Sequence, residues 1–385
     1  MAPRRPDKKA KKQKQAISRA ANGMSKPVSP QVLVKAAEYQ LQEGNVQDAL
    51  TLAEKALEQS SSNSDDALSV LNLLGQINLE AGDLETAHAY FLGAVAIDED
   101  GSKDEAIGGG PEKFLCLAQL SEEGGQDSVT WFEKGAAALR AQIQTLEEVR
   151  RRTADQEIRR EELKKKLAMT LCSVAEVYMT DLSWEEDAEQ RCETLVTEAT
   201  LVAPDFAETW QTLANVRISQ ERVDDAKAAL TRSLELWKDL PPEDPAVPDF
   251  PSRVALARLL MEVEMEQEAI EVLERLVGED DQSVEVWYLG GWGLYVMGEK
   301  QKASKPDSEE DWKASWISSR VWLNQCQHLY KLQDYEDEPL GDHAKELLAL
   351  IAKELGEAPT GEGEDDEWED DDGDGDEDGD EEMKD

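Results

Sequence analysis

Small residues recur in this chain at a fixed spacing, which limits the possible fold more than any other feature. Ala37 and Ala49, Gly75 and Ala87, Ala214 and Ala226, and Ala257 and Ala269 each stand twelve residues apart. A second small residue follows nineteen positions after the first in three of these units, as Ala56, Ala94 and Ser233, with Leu276 in the fourth. Two antiparallel helices approach closely only where both facing ridges are small, and large residues one turn away then fill the space beside the crossing. Leu71, Leu74, Phe91, Trp210 and Leu213 are placed to do so. The runs "EGN" at 43–45 and "AGD" at 81–83 supply turns, with Gly to stop one helix and Asn or Asp to start the next.

This spacing resembles the tetratricopeptide pattern, in which each repeat is one helix pair. It predicts an all-α tetratricopeptide-repeat superhelical solenoid of about seven helix pairs plus a C-terminal capping helix. Clear repeats cover about 31–62, 68–101, 207–240 and 250–283, and weaker ones lie at 114–140 and about 168–203. The last pair starts with "VEVWYLGGWGLYVMGEK", crosses the polar insertion "QKASKPDSEED" and resumes at "WKASWISSRVWLNQCQHLYKL". "DHAKELLALIAKEL" reads as the cap. Residues 141–166 hold dense alternating charge and few apolar residues, which reads as an exposed helix extension or solvated linker helix.

Charge divides the chain differently. Residues 1–30 contribute +8 and residues 361–385 contribute −16, which leaves −36 of the total −44 on residues 31–360. The domain expectation is a disordered basic head at 1–30, the solenoid at 31–355 and a disordered acidic tail at 356–385. Neither terminal segment has the apolar burial that offsets chain entropy. The lysine-rich head "APRRPDKKAKKQKQ" reads as a nuclear import signal, a weak RNA-contacting arm or a solubilising tail. No apolar run is long enough for a membrane span, and the N-terminus lacks the apolar core of a secretory signal. Four scattered cysteines and three histidines argue against zinc or disulfide frameworks and point to a cytosolic or nuclear protein.

No catalytic motif is present in the sequence, so a non-enzymatic binding protein without cofactor or metal is expected. The three glycines of "IGGGPEKF" lack a preceding strand and a following GK[ST], and read as a loop. Helical stepping from the small crossing residues gives the positions expected on the inner face of the first helices. They are Glu38, Asn72, Gln76, Glu80, Asp181, Glu208, Gln211, Asn215, Ser219, Arg258, Glu262 and Glu266, followed by an aromatic patch of Tyr288, Trp292 and Tyr295. Acids and amides dominate this set. Carboxylates neutralise Lys and Arg while amides bond peptide backbone, so an extended basic peptide is the expected ligand. Nucleic acid is disfavoured, because phosphates are repelled over most of such a surface.

The runs "MTDLSWEEDAEQRCETLVTEATLVAPD" at 179–205 and "LANVRISQERVDDAKAALTRSLELW" at 213–237 carry a closer likeness. They resemble the fungal assembly chaperones dedicated to large-subunit ribosomal protein number four. The resemblance implies capture of the extended, basic internal loop of that newly made protein, its protection from aggregation and degradation, and its escort to the nucleus. It implies shuttling between cytoplasm and nucleus, with a nuclear import receptor as a further partner through the basic head. Two other readings stay open. A histone or other basic-protein chaperone also suits the acidic charge. A general tetratricopeptide co-chaperone scaffold needs a Lys, Arg and Asn clamp in the first repeats, where Val34 and Glu38 stand instead.

Overall fold

A computed structural model describes residues 29–61, 64–304 and 309–356. The expected head and tail lie outside the described residues, apart from Ser29, Pro30 and Gly356 at their edges. Fifteen α-helices and one 3₁₀ turn, Glu105–Ile107, make up the regular structure among the described residues. In chain order the helices form seven pairs and a final single helix, as the repeat spacing predicts. The pairs are α1 Pro30–Gln42 with α2 Val46–Gln59, α3 Asp65–Glu80 with α4 Leu84–Ile97, and α5 Glu112–Gln119 with α6 Gly125–Glu147. Next come α7 Ala154–Met179 with α8 Ala188–Val202 and α9 Ala207–Ser219 with α10 Val223–Glu235. The last are α11 Phe250–Glu262 with α12 Glu266–Glu279, α13 Val284–Ser304 with α14 Glu309–Leu332, and then α15 Glu338–Leu355. The chain divides into two compact units, residues 1–265 with α1 to α11 and residues 266–385 with α12 to α15.

In the first unit α1, α3, α5, α7 and α9 each pack on the helix that follows, and consecutive pairs stack. Among first helices, α1 meets α3, α7 meets α9, and α9 meets α11, so α7, α9 and α11 lie side by side. The small residues lie where the spacing requires. Ala37, Ala49, Ala56, Ala87, Ala94, Ala214, Ala226 and Ser233 are fully buried. A Cβ on Gly75 would stand 2.6 Å from the Phe91 ring, so the bare backbone of α3 is the seat for that ring. The Ser233 hydroxyl donates to the Ala207 carbonyl at 3.0 Å, which lets a small polar residue fill a crossing position without an unsatisfied group. Helix starts and stops follow ordinary capping chemistry. Asp83 accepts from the Thr86 N–H at 3.1 Å, while Gly44 and Gly82 adopt φ of 77° after the preceding helices. Thr153 and Gln156 form a full capping box at the start of α7.

Two stretches differ from the sequence expectation. Residues 141–166 are not one solvated extension: α6 continues to Glu147, a turn follows, and α7 starts at Ala154. The two long helices pack on each other, and Leu163 and Leu167 are buried in the cluster that holds Leu139 and Ile143. A single apolar residue per turn on each helix is enough for an antiparallel pair, a signal that dense charge masks. The polar insertion after Lys300 is also largely helical, with α13 running to Ser304 and α14 starting at Glu309.

The glycine run is a loop, as read, but a tightly built one. Lys113 and Asp98, both about 1% exposed, pair at 2.6 Å beneath it. Asp98 also accepts from the backbone N–H groups of Lys103 at 3.1 Å and Gly110 at 3.2 Å, and Lys113 donates to the Gly110 carbonyl at 2.7 Å. Burial pushes the Lys113 ammonium below the usual lysine range, and the Asp98 carboxylate opposes that shift. Gly108, with φ of 83°, lies against the Ser69 backbone of α3.

The second unit is dominated by aromatic packing. Trp312 and Trp316 of α14 are buried with Leu323, Ala344, Leu347 and Ile351, so α15 covers one side of the α13–α14 pair. This fits its reading as a cap. Trp316 donates to the Tyr295 carbonyl at 3.0 Å, and Ser319 donates to the Gly291 carbonyl at 2.7 Å. The glycines of α13 let these side chains reach its backbone. No helix among the described residues is long and apolar enough to cross a membrane.

Candidate peptide-binding surface

The expected inner-face residues separate by their register from the buried crossing residue. One position after it stand Glu38, Gln76, Asn215 and Arg258; five positions after it stand Glu80, Ser219 and Glu262. All seven reach solvent: Asn215 is half-buried and the others are exposed.

Three positions before the crossing the outcome is different. Gln211 is only 7% exposed, and its Nε2 points to the Ser233 hydroxyl at 3.5 Å inside the α9–α10 pair. It is a packing residue, because a step of three leads back onto the ridge that faces the partner helix. Asn72 is half-buried and donates to the Gly108 carbonyl at 2.5 Å, so it pins the glycine loop onto α3.

Two further acids are corrected by where helices end. Asp181 lies two residues past the end of α7, and its Oδ2 accepts from the Gly125 N–H at 3.1 Å at the start of α6. Its carboxylate there complements the positive end of that helix. Glu266 begins α12, is 9% exposed and pairs with Lys300 at 2.7 Å. It is part of the internal structure of the second unit rather than a free groove acid. The aromatic trio is likewise engaged. Tyr288 bonds the His343 ring at 2.7 Å and stacks on Trp292, while Tyr295 stacks on Trp316 with centroids 5.3 Å apart. All three are half-buried.

One acid was missed. Glu176 follows the fully buried Ala175 of α7 by one position, the same step that sets Glu38 after Ala37 and Asn215 after Ala214. The Ala-Glu pair is visible in the sequence, but the charged run before it hid where α7 begins and so which alanine marks the crossing. Glu176 is exposed, yet the atoms packed around its carboxyl displace part of the surrounding water and push it above the ordinary glutamate range. Burial does the same to Glu208 on α9, with Asp249 adding to the rise and Lys165 partly opposing it. The two acids belong to adjacent first helices, and both influence the Cys172 thiol between them. Neither makes a salt bridge to a described lysine or arginine. A desolvated carboxylate without a counter-charge is held at a cost that an incoming cation relieves. The Cys172 and Cys326 thiols are pushed up to about 12 by burial, and Cys116 to about 11, which leaves them as apolar packing groups.

Known proteins agree with this architecture. Residues 29–100 match the tetratricopeptide repeat family model. A protein of Emericella nidulans named a probable assembly chaperone of rpl4 is 48% identical over 382 residues, spanning 94% of this chain and 95% of its own. A Schizosaccharomyces pombe protein of the same name is 33% identical over 306 residues, spanning 79% of this chain and 85% of its own. The solved structure of the assembly chaperone of RpL4, Acl4, residues 1–338, shares 57% identity and a TM-score of 0.68, covering 72% of this chain and 99% of that one. Identity sustained over nearly the whole length, on the helix pairs that the small-residue spacing dictates, shows that the chain belongs to the tetratricopeptide-repeat family of rpl4 assembly chaperones.

Proposed function

We propose that this chain is a chaperone of ribosomal protein L4 that captures its extended, basic internal loop on the first-helix face of α7 and α9. The captured loop is thereby shielded from aggregation and degradation and carried to the nucleus for assembly. The names of the two long-range relatives support the partner. The carboxylates of Glu176, exposed, and Glu208, half-buried, which make no salt bridge among the described residues and are both raised by partial loss of water, carry the choice of surface. They are flanked by Asn215 of α9, which suits peptide backbone, and lie on a body of net charge −36. Capture of a cation lowers the proton affinity of both carboxylates, so binding favours their ionised form.

The test is calorimetry of the full chain against the L4 internal loop. The double reversal Glu176→Arg with Glu208→Arg is expected to weaken binding more than about tenfold, since each like-charge contact replaces an attraction. The far-ultraviolet circular-dichroism melt should be retained. Because both carboxyls are raised when free and ionised when a cation is bound, affinity is full well above their raised range and is lost as falling pH protonates them, starting at higher pH than for ordinary glutamates. The variant should lose this dependence along with the affinity. A histone that competes as well as the L4 loop at about 150 mM salt would favour the basic-protein chaperone instead. Glu266→Arg, by contrast, is expected to lower the melting temperature by breaking the Lys300 pair, and so is a poor probe of binding.

Shuttling is proposed to depend on the basic head through an import receptor. A fluorescent reporter fused to residues 1–30 is expected to accumulate in nuclei, and even distribution across the cell would remove that role.

A further inference from the structure

At one edge of the first unit, where α7 ends, α8 begins and α9 ends, the surface opens into a cleft of about 480 Å³. Its floor is formed by Tyr178, Met179, Cys192 and Val216, and its polar side includes Glu189 and Glu221. The expected site residue Ser219 also lines it. Three observations describe the chemistry of this cleft.

The first is backbone conformation. Glu221 has φ of 57° and occupies the turn position that Gly44 and Gly82 fill in the first two repeats and that Glu264, with φ of 61°, fills in the following one. The left-handed region suits glycine and is unfavourable for a residue with a Cβ. A carboxylate therefore stands where the local fold would be better served by none, and strain of this kind is concentrated at binding sites. The second is an exposed indole. Ser183 lines the cleft, and the next residue, Trp184, is 73% exposed on the same turn. A tryptophan in that position leaves a large apolar surface in water without a partner in the fold. The third is charge. Residues 181–193 hold six acids and one basic residue, Arg191. The neighbouring cations are already committed: Arg191 to Asp187 at 3.0 Å, Arg217 to Glu193, and Arg222 to Asp225 at 2.8 Å. Glu221 has no ion pair among the described residues, and Glu189 has only an amide contact from Gln220 at 3.5 Å.

We infer that this cleft receives an arginine side chain of a basic, extended protein segment, with Glu221 and Glu189 meeting the guanidinium and Trp184 stacking beside it. The inference rests on the reading that such a segment is the ligand, and it adds a side-chain preference that net charge alone does not produce. An apolar floor beneath a carboxylate rim suits a long aliphatic stem with a charged head. Arginine suits it better than lysine, because guanidinium is more weakly hydrated, stacks on aromatic faces and bonds carboxylates through a fork. Arg191 already places a guanidinium 5.8 Å from the Tyr178 ring, so the same chemistry operates at the margin of the cleft.

Two synthetic peptides of equal length and charge, one glycine–arginine and one glycine–lysine, distinguish the possibilities when titrated into the full chain at about 150 mM salt. The chain is expected to bind the arginine peptide about fivefold or more tightly than the lysine peptide. Trp184→Ala and Glu221→Gly should each remove most of that preference while leaving lysine-peptide affinity within about twofold. Glu221→Gly is the decisive variant, because it relaxes the turn and should keep or raise the melting temperature while binding falls. Equal affinity for both peptides, or a preference unchanged in both variants, overturns the cleft and leaves the chaperone reading intact. Failure of both peptides and of the L4 loop to bind overturns the chaperone reading itself.

Discussion

Replacing Lys113 by alanine is expected to destabilise the first unit by about 3–5 kcal/mol, the range seen when one partner of a buried ion pair is removed. Asp98 is 2% exposed and would keep only the backbone N–H groups of Lys103 and Gly110 to hold its charge. The loss should spread locally, because this pair underlies the loop that Asn72 pins to α3 and that Glu105 links to Arg159 of α7. Urea unfolding of the full chain, followed by circular dichroism, reads the effect as a lower midpoint. A double variant, Lys113→Met with Asp98→Asn, separates charge from volume. It removes both charges and is expected to recover a large part of the loss, since buried pairs add little beyond what well-packed neutral groups supply. A single variant as stable as the parent would show that water reaches Asp98.

Phe91→Ala is the second large effect, expected at about 3–5 kcal/mol. The ring is 1% exposed and rests on the bare backbone of Gly75, with Ala87 and Leu117 beside it. Truncation leaves a cavity that the α3 and α4 backbones cannot close, because their separation is set by Ala87 and Ala94 along the same crossing. The reciprocal change is informative. Gly75→Ala places a methyl 2.6 Å from the ring, so the gain in helix propensity is opposed by overpacking. Combining Gly75→Ala with Phe91→Leu should cost less than the sum of the two single changes, measured as the coupling in a double-mutant cycle. Additive effects would mean that residues 75 and 91 do not share one packing site.

The helical-repeat fold was legible because close helix packing imposes a spacing that composition cannot hide. Seven pairs and a cap follow from where Gly and Ala must stand, and the fold bears this out at Gly75 and Ala87 as it does at Ala214 and Ala226. The surface was legible only in part. Register from a crossing residue leaves Glu38, Gln76 and Glu262 exposed and Asn215 half-buried, since one turn of helix fixes the face of each. It fails for Gln211, where a glutamine fills a packing position by bonding Ser233, and for Asp181, where α7 has already ended. Glu176 was hidden for a related reason: without the start of α7, nothing marked Ala175 as the crossing residue.

Local pattern alone therefore determined the helix pairing, the small crossing residues and the acidic excess of the body, because each depends on residue type at short separation. Tertiary structure decided which carboxylates lack a counter-charge. Glu266 finds Lys300 34 residues away, and Asp98 finds Lys113 across the glycine loop, whereas Glu176 and Glu208 make no salt bridge among the described residues and Glu208 feels Lys165 only at longer range. An ion pair depends on distance in space and on the dielectric around it, and neither quantity is written in the order of residues along the chain.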